Sequence, residues 1–129
     1  MHQLFLIFNH SFTPDQETSA RTELGVAAIV EMPPELQELW ANVPPELPGL
    51  DTWLQPFYQW ITKHCQPGDY ILIQGDFGAA YLLVGFATGR QLIPVYATTR
   101  RQAREEHLNN GRIRMEHTFK HVRFRRYGQ

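Results

Sequence analysis

The sequence predicts an α/β fold: a Rossmann-like parallel sheet with flanking helices and a C-terminal β-hairpin. Three observations carry that expectation. Short apolar runs at Leu4–Phe8, Val26–Val30, Tyr70–Ile73 and Leu92–Tyr96 alternate with segments of helical periodicity. Such alternation places parallel strands side by side, with the helices on the sheet faces. After residue 100 the rhythm changes to strict alternation beyond Asn110-Gly111, the strongest short hairpin signal. A chain of 129 residues suits one domain, 1–129, with a single core.

The elements follow in order. Leu4–Phe8 is uninterrupted apolar sequence, which reads as a strand buried on both faces. Thr13 with Gln16 forms a capping box, and Pro14 fills the first helical position, so a helix starts at about Pro14. Gly25 is placed to stop it, and Val26–Val30 follows as the second strand. Pro33-Pro34 opens a helix with Leu36, Leu39 and Trp40 on one face, and Pro44, Pro45 and Pro48 break the chain into a loop. Leu50, Trp53, Leu54, Phe57, Trp60 and Ile61 then recur at helical spacing. Pro56 requires that helix either to start later than its pattern or to kink. Pro67-Gly68-Asp69 is a turn into the third strand, Tyr70–Ile73; Phe77–Ala87 is the next helix and Leu92–Tyr96 the fourth strand. Arg100–Leu108 fits a short helix capped by Thr99 with Gln102, or the first arm of the hairpin, which the sequence favours. Ile113, Met115, His117 and Phe119 alternate after the Asn-Gly turn; Val122 and Phe124 alternate in the opposite parity.

Composition narrows the function classes. Hydrophobic residues make up 43% and charged residues 19%, the balance of a folded globular chain. The run Leu4–Phe8 is far short of the ~20 residues that cross a bilayer. It also lacks the basic start and cleavage site of a secretion signal, so a cytoplasmic protein with no membrane partner is expected. One cysteine, Cys65, makes neither an intramolecular disulfide nor a metal cage. The net charge of -1 hides a split. Residues 1–99 hold three basic residues against ten acids, and residues 100–129 hold nine against three. That basic segment is either a solvated surface or the face that meets a phosphate-bearing partner.

Three polar clusters follow three expected parallel strands: Asn9-His10-Ser11, Gln74-Gly75-Asp76-Phe77-Gly78 and Thr98-Thr99-Arg100. Read as turns, all three lie at the carboxyl edge, where ligands bind in open parallel sheets. Helix N-termini add free N–H groups suited to phosphate. Asp76 is either the cap of its helix or an acceptor for an adenine amino group or ribose hydroxyl; Gly75 and Gly78 allow close backbone approach. Asn9, His10 and Ser11 have no capping task, because Thr13 performs it. His121, Arg123 and Arg125 share a face if their segment is a regular strand, opposite Val122 and Phe124. His117 and His121 are four apart on an extended segment, a weak pattern for zinc. Asp76-Phe77-Gly78 resembles the kinase magnesium triplet, but the chain has no catalytic or phosphate loop to accompany it.

Taken together, LFLIFNHSFT, YILIQGDFGAAYLL, LIPVYATTRR and FKHVRFRRY resemble one small family across nearly the whole chain. It is a group of standalone CRISPR-associated proteins of type III systems related to CARF (CRISPR-associated Rossmann fold) domains. The resemblance implies a homodimer that binds cyclic oligoadenylate across a twofold axis. It further implies a metal-independent ring nuclease, with no cofactor, that cleaves this messenger and switches the antiviral response off. Under that reading His10, Ser11 and Arg100 are the candidate catalytic residues. Asn9, Gln74, Gly75, Asp76, Phe77, Gly78, Thr98, Thr99, His121 and Arg123 are the candidate substrate contacts. The expected ligand is cyclic tetra-adenylate. A non-catalytic ring-binding or sensor protein is the alternative, and a long nucleic acid held by the basic segment is a weaker one.

Overall fold

The computed structural model describes residues 1–129. Its elements are β1 (Gln3–Ile7), α1 (Pro14–Ser19), β2 (Ala28–Glu31), α2 (Pro34–Ala41), α3 (Gln55–His64), β3 (Tyr70–Ile73), α4 (Phe77–Gly89), β4 (Ile93–His107) and β5 (Ile113–Arg126). They form a five-stranded sheet in the order β2-β1-β3-β4-β5. Four strands run parallel, and β5 returns antiparallel to β4. The fold is therefore Rossmann-like α/β with a C-terminal hairpin. The chain steps from β1 to β2 on one side and reaches β3 on the other, so the strand order reverses at β1. In sheets of this kind the crevice at that reversal is the usual ligand site.

Two apolar layers cover the sheet. Leu4, Leu6, Leu72, Val95 and Phe124 meet Ala20 and Val26 on the α1 side. Phe5, Ile7, Ile71 and Ile73 meet Trp40, Phe57, Ile61 and Leu83 on the α2–α4 side. Alternate residues of β1 and β3 thus point to opposite buried layers, which is why those strands are apolar throughout.

The capping box forms as expected: Thr13 Oγ1 accepts from the Gln16 N–H, and Gln16 Oε1 accepts from the Thr13 N–H. The α1 helix continues as a π-helical turn over Ala20–Leu24 and ends at Gly25, whose φ of 68° is left-handed. The second strand begins at Ala28, two residues after the expected start, and Val26 instead plugs the core beneath it. Pro56 lies in the first turn of α3 rather than its middle, so the helix starts late and does not kink. Leu50 and Leu54 precede it in a turn closed by Leu54 N–H to the Leu50 carbonyl, 2.9 Å. That turn prolongs the helical spacing beyond the helix.

The largest difference lies in β4. The expected strand Leu92–Tyr96 runs on to His107, so Thr98-Thr99-Arg100 is extended backbone, not a turn, and the helix capped by Thr99 does not form. Antiparallel pairing with β5 carries the strand beyond the end of β3 as a two-stranded ribbon. Gly111, with φ 80°, closes its tip, and Asn110 Oδ1 accepts from the Arg112 N–H. The parity switch near Val122 is a β-bulge: Thr98 pairs Arg123 whereas Thr99 pairs His121, leaving Val122 without a partner. His121 therefore lies on the α1 side, its ring 4.8 Å from Phe124. The expected common face of His121 with Arg123 and Arg125 is corrected accordingly.

Candidate functional site

The carboxyl end of β3 is built from local necessities. Gln74 accepts through its side-chain oxygen from the Ala97 N–H at 2.7 Å, and its own N–H donates to the Ile7 carbonyl at 3.1 Å. One residue thus ties the ends of β1, β3 and β4 together. Its carbonyl accepts from Trp40 Nε1 at 2.8 Å. A Cβ at Gly75 would stand 2.6 Å from that indole nitrogen, so the close backbone approach Gly75 permits is to Trp40. Asp76 Oδ2 accepts from the Ala79 N–H at 3.0 Å and caps α4. Gly78 is different: an added Cβ would meet only ordinary contacts, the nearest at 3.5 Å.

Beyond this junction α4 leaves a solvent face without charge. Its sequence FGAAYLLVGFATG contains no ionisable side chain except the Tyr81 phenol. Phe77 and Tyr81, one turn apart, are 95% and 79% exposed. They border a cavity of about 440 Å³ with Val84, Tyr96, Tyr127 and the Gln74-Gly75 backbone. The Tyr127 hydroxyl donates to the Ile73 carbonyl, and its ring lies 4.8 Å from Tyr96. Burial first, and Tyr96 second, push the Tyr127 phenol upward, so it stays a neutral donor. Of these aromatics only Phe77 is expected from the sequence. The i, i+4 spacing signals Tyr81, whereas Tyr96 and Tyr127 join them only through strand pairing.

A row of cations leads out of the cavity. Tyr96 faces α4, and its cross-strand partner is Arg125, whose guanidinium sits 5.0 Å from the Tyr96 ring centre and whose Nε donates to its hydroxyl. Alternation along β4 and β5 continues this face through the pairs Thr98–Arg123 and Arg100–Lys120. Thr98 Oγ1 donates to the Arg123 carbonyl at 3.0 Å and accepts from its N–H at 3.2 Å, which fixes the register next to the bulge. The result is four exposed cations beside four aromatic rings.

The β1–α1 loop stands apart from this cavity. Asn9, His10 and Ser11 are exposed at the carboxyl end of β1. The His10 ring packs edge-on against Phe8, at 5.3 Å, in a small depression shared with Glu31, Met32 and Gln37. Gln74, Gly75 and Phe77 are brought together with the tyrosines, Arg100 and Arg123 lie on the ribbon above them, and His10 opens toward β2. Thr99 and His121 are paired on the opposite, α1, face. Both His121 ring nitrogens are buried without a hydrogen-bond partner. Burial lowers its pKa below 6.5, against the opposing pull of Glu23 and then Asp15. No three metal-ligating side chains stand close enough to share an ion. No helix is long and apolar enough to cross a membrane.

A second polar centre, at the opposite sheet edge, has no counterpart among the expected site residues. Buried Asp69 accepts from the Gln3 N–H at 2.9 Å and the Gln66 N–H at 2.8 Å, and its carboxylate lies 3.5 Å from His2. Both oxygens are engaged in holding the amino end of the sheet, so this is a structural group.

Comparison with known proteins agrees on one relationship. The sequence profile described as the uncharacterized protein MJ1673 family matches residues 2–125. The uncharacterized protein MJ1673 of Methanocaldococcus jannaschii is 46% identical over 127 residues, which is 98% of this chain and 98% of that protein. No solved structure matches. With near-complete coverage from both comparisons, the chain belongs to the MJ1673 family.

Proposed function

We propose that this protein is a cytoplasmic, homodimeric, metal-independent ring nuclease that linearises cyclic oligoadenylate, with cyclic tetra-adenylate as its substrate. Under this reading it switches off type III CRISPR signalling. The observation that carries the proposal is the pairing of an aromatic cavity with a cation row on one face. An oligoadenylate offers the matching chemistry, flat bases that stack on aromatic rings and phosphates that attract arginine and lysine. The four sequence segments that resemble CARF-related proteins supply the ring as the specific ligand.

In the proposed reaction a ribose 2′-oxygen attacks the phosphorus of its own 3′-phosphate, and the 5′-oxygen of the next nucleotide leaves. The 2′-hydroxyl proton goes to a base, the leaving oxygen gains a proton, and a 2′,3′-cyclic phosphate and a 5′-hydroxyl result. Holding the three atoms in line contributes up to about 7 kcal/mol. His10 is the candidate for proton transfer, a role worth about 10²–10⁴-fold. Ser11 would position a phosphate oxygen beside His10, and Arg100, out on the ribbon, would hold another phosphate of the ring. Asn9 would orient the same phosphate, and Phe77 and Arg123 would hold base and backbone. Gln74 and Gly75, which line the cavity, would meet the ring from below, and Asp76 would accept from an adenine amino group or a ribose hydroxyl.

A second reading, capture of the ring without cleavage, is favoured by one feature. The cavity lining contains no histidine, carboxylate or amine. Incubation with labelled cyclic tetra-adenylate in EDTA separates the two. Linear product over many turnovers supports the enzyme, retention of an intact ring supports the binder, and a ring neither cut nor retained removes both.

A further inference from the structure

We propose that the groove between α3 and α4 is a separate ligand site, one that takes a nucleoside monophosphate. The inference does not depend on the function proposed above, because the groove shares no residue with the aromatic cavity. Nine residues, two and a half turns, separate Phe77 from Phe86, so these rings point to opposite sides of α4. The cavity lies on the β4 side of that helix and the groove on the α3 side. Along α3 the groove is lined by Gln55, Tyr58, Gln59, Thr62 and Lys63, the stripe left outside when Phe57, Trp60 and Ile61 enter the core. Phe86 and Arg90 close it from α4, around a volume of about 510 Å³.

Charge singles this groove out. Residues 1–99 hold ten acids and three basic residues, and one of the three, Arg21, is paired with Glu17. The other two, Lys63 and Arg90, make no ion pair, and both stand at this groove. Neither α3 nor α4 contains an aspartate or glutamate. Helix dipoles favour cations at these last turns, yet they do not call for an aromatic floor between them. That floor is the half-buried Tyr58 and Phe86 rings, 4.5 Å apart. The Arg90 guanidinium folds back over Phe86, 5.6 Å from the ring centre, toward the preceding turn and away from the helix end. Two unpaired cations match a phosphate monoester, whose charge is about −1.5 to −2 near neutral pH. The rings add a surface on which a base stacks and which an inorganic anion would leave unused. Gln55 donates to the Asp51 carbonyl at 3.3 Å, whereas the Gln59 amide has no partner in the chain and offers a donor and an acceptor to a base edge. Asp51 sets the direction of binding. Burial first, and Asp51 second, push the Tyr58 phenol upward, so a carboxylate lies at that end of the groove. The phosphate therefore goes to Lys63 and Arg90, and the base toward Gln59 and Gln55.

Titration of the isotope-labelled full chain with adenosine monophosphate at low salt, followed by NMR, tests the site. The Gln59 side-chain amide and the Arg90 backbone amide should shift together and saturate at one ligand per chain. Adenosine and inorganic phosphate, each lacking half of the ligand, should bind at least ~10-fold more weakly. Arg90→Gln and Lys63→Gln should each weaken adenosine monophosphate by at least ~3-fold, and Arg90→Lys, which keeps the charge, should recover most of the loss. Unchanged amide positions outside the groove would show that these variants are folded. Shifts confined to Phe77 and Tyr81 would put the nucleotide in the other cavity and overturn the proposal. Equal affinity for inorganic phosphate, no shift at millimolar nucleotide, or indifference to both charge removals would overturn it as well.

Discussion

Gly75 and Asp76 show how single residues at the sheet edge serve the fold before they serve any ligand. Because the Gly75 Cα faces the Trp40 indole, Gly75→Ala must displace Trp40 and its hydrogen bond to Gln74. A loss of about 1–3 kcal/mol is expected in urea unfolding, the scale of overpacking in a close-packed core. Asp76 caps α4 through one oxygen, so Asp76→Ala should cost about 1 kcal/mol and Asp76→Asn much less. If the carboxylate also accepts from an adenine amino group, Asp76→Asn keeps stability yet weakens ring binding, a split that calorimetry resolves. At Cys65 burial leads, with Asp69 adding and Arg90 opposing, and the thiol is pushed up to about 12. Its reaction with a disulfide reagent at neutral pH should therefore be negligible until the protein unfolds, and the trace of reactivity against urea should follow global unfolding.

Elements divide between filling the core and shaping the cavity. The buried side of α4 supplies Ala79, Ala80, Leu83 and Ala87 to the core, and the other side supplies Phe77 and Tyr81 to the cavity rim. Replacing both rim aromatics by alanine should leave unfolding within about 0.5 kcal/mol of the native chain, since neither is packed. Ring affinity should fall by at least ~10-fold in the same variant, because base stacking contributes about 1–3 kcal/mol per base. Unchanged affinity in a titration would mean that the cavity is not where bases sit. On the ribbon, Lys120→Ala or Arg123→Ala should each shallow the dependence of log affinity on log salt by about 0.7. Thr98 itself should matter mainly for register, through its two bonds to Arg123.

At the scale of the whole molecule, two differently covered sheet faces create a pH dependence. His121 is wedged between Phe124 and the α1 region with neither nitrogen bonded, and its folded pKa lies below 6.5. Its contribution to stability is complete above the unfolded value. It declines as pH falls through 6.5 toward the folded pKa, because the unfolded chain takes the proton first. Thermal unfolding between about pH 7.5 and about pH 5 should show this slope, and His121→Phe, which keeps a ring on Phe124, should flatten it. Much of this architecture was legible locally. The capping box at Thr13, the stop at Gly25, strand β3 and the Asn110-Gly111 turn follow from which φ, ψ values and hydrogen bonds those residues favour by themselves. The unbroken apolar runs of β1 and β3 likewise announced strands covered on both faces. Other features were settled only by tertiary contact. Thr98-Thr99-Arg100 looked like a turn because polar residues commonly end buried strands, and only pairing with β5 extends β4 through them. The same pairing places the bulge at Val122, turns His121 away from Arg123, and carries Tyr96 and Tyr127 to the rim beside Phe77. Local preference acts over three or four residues, whereas register is a choice among alignments of distant segments; the aromatic and cationic face of this protein is written in register.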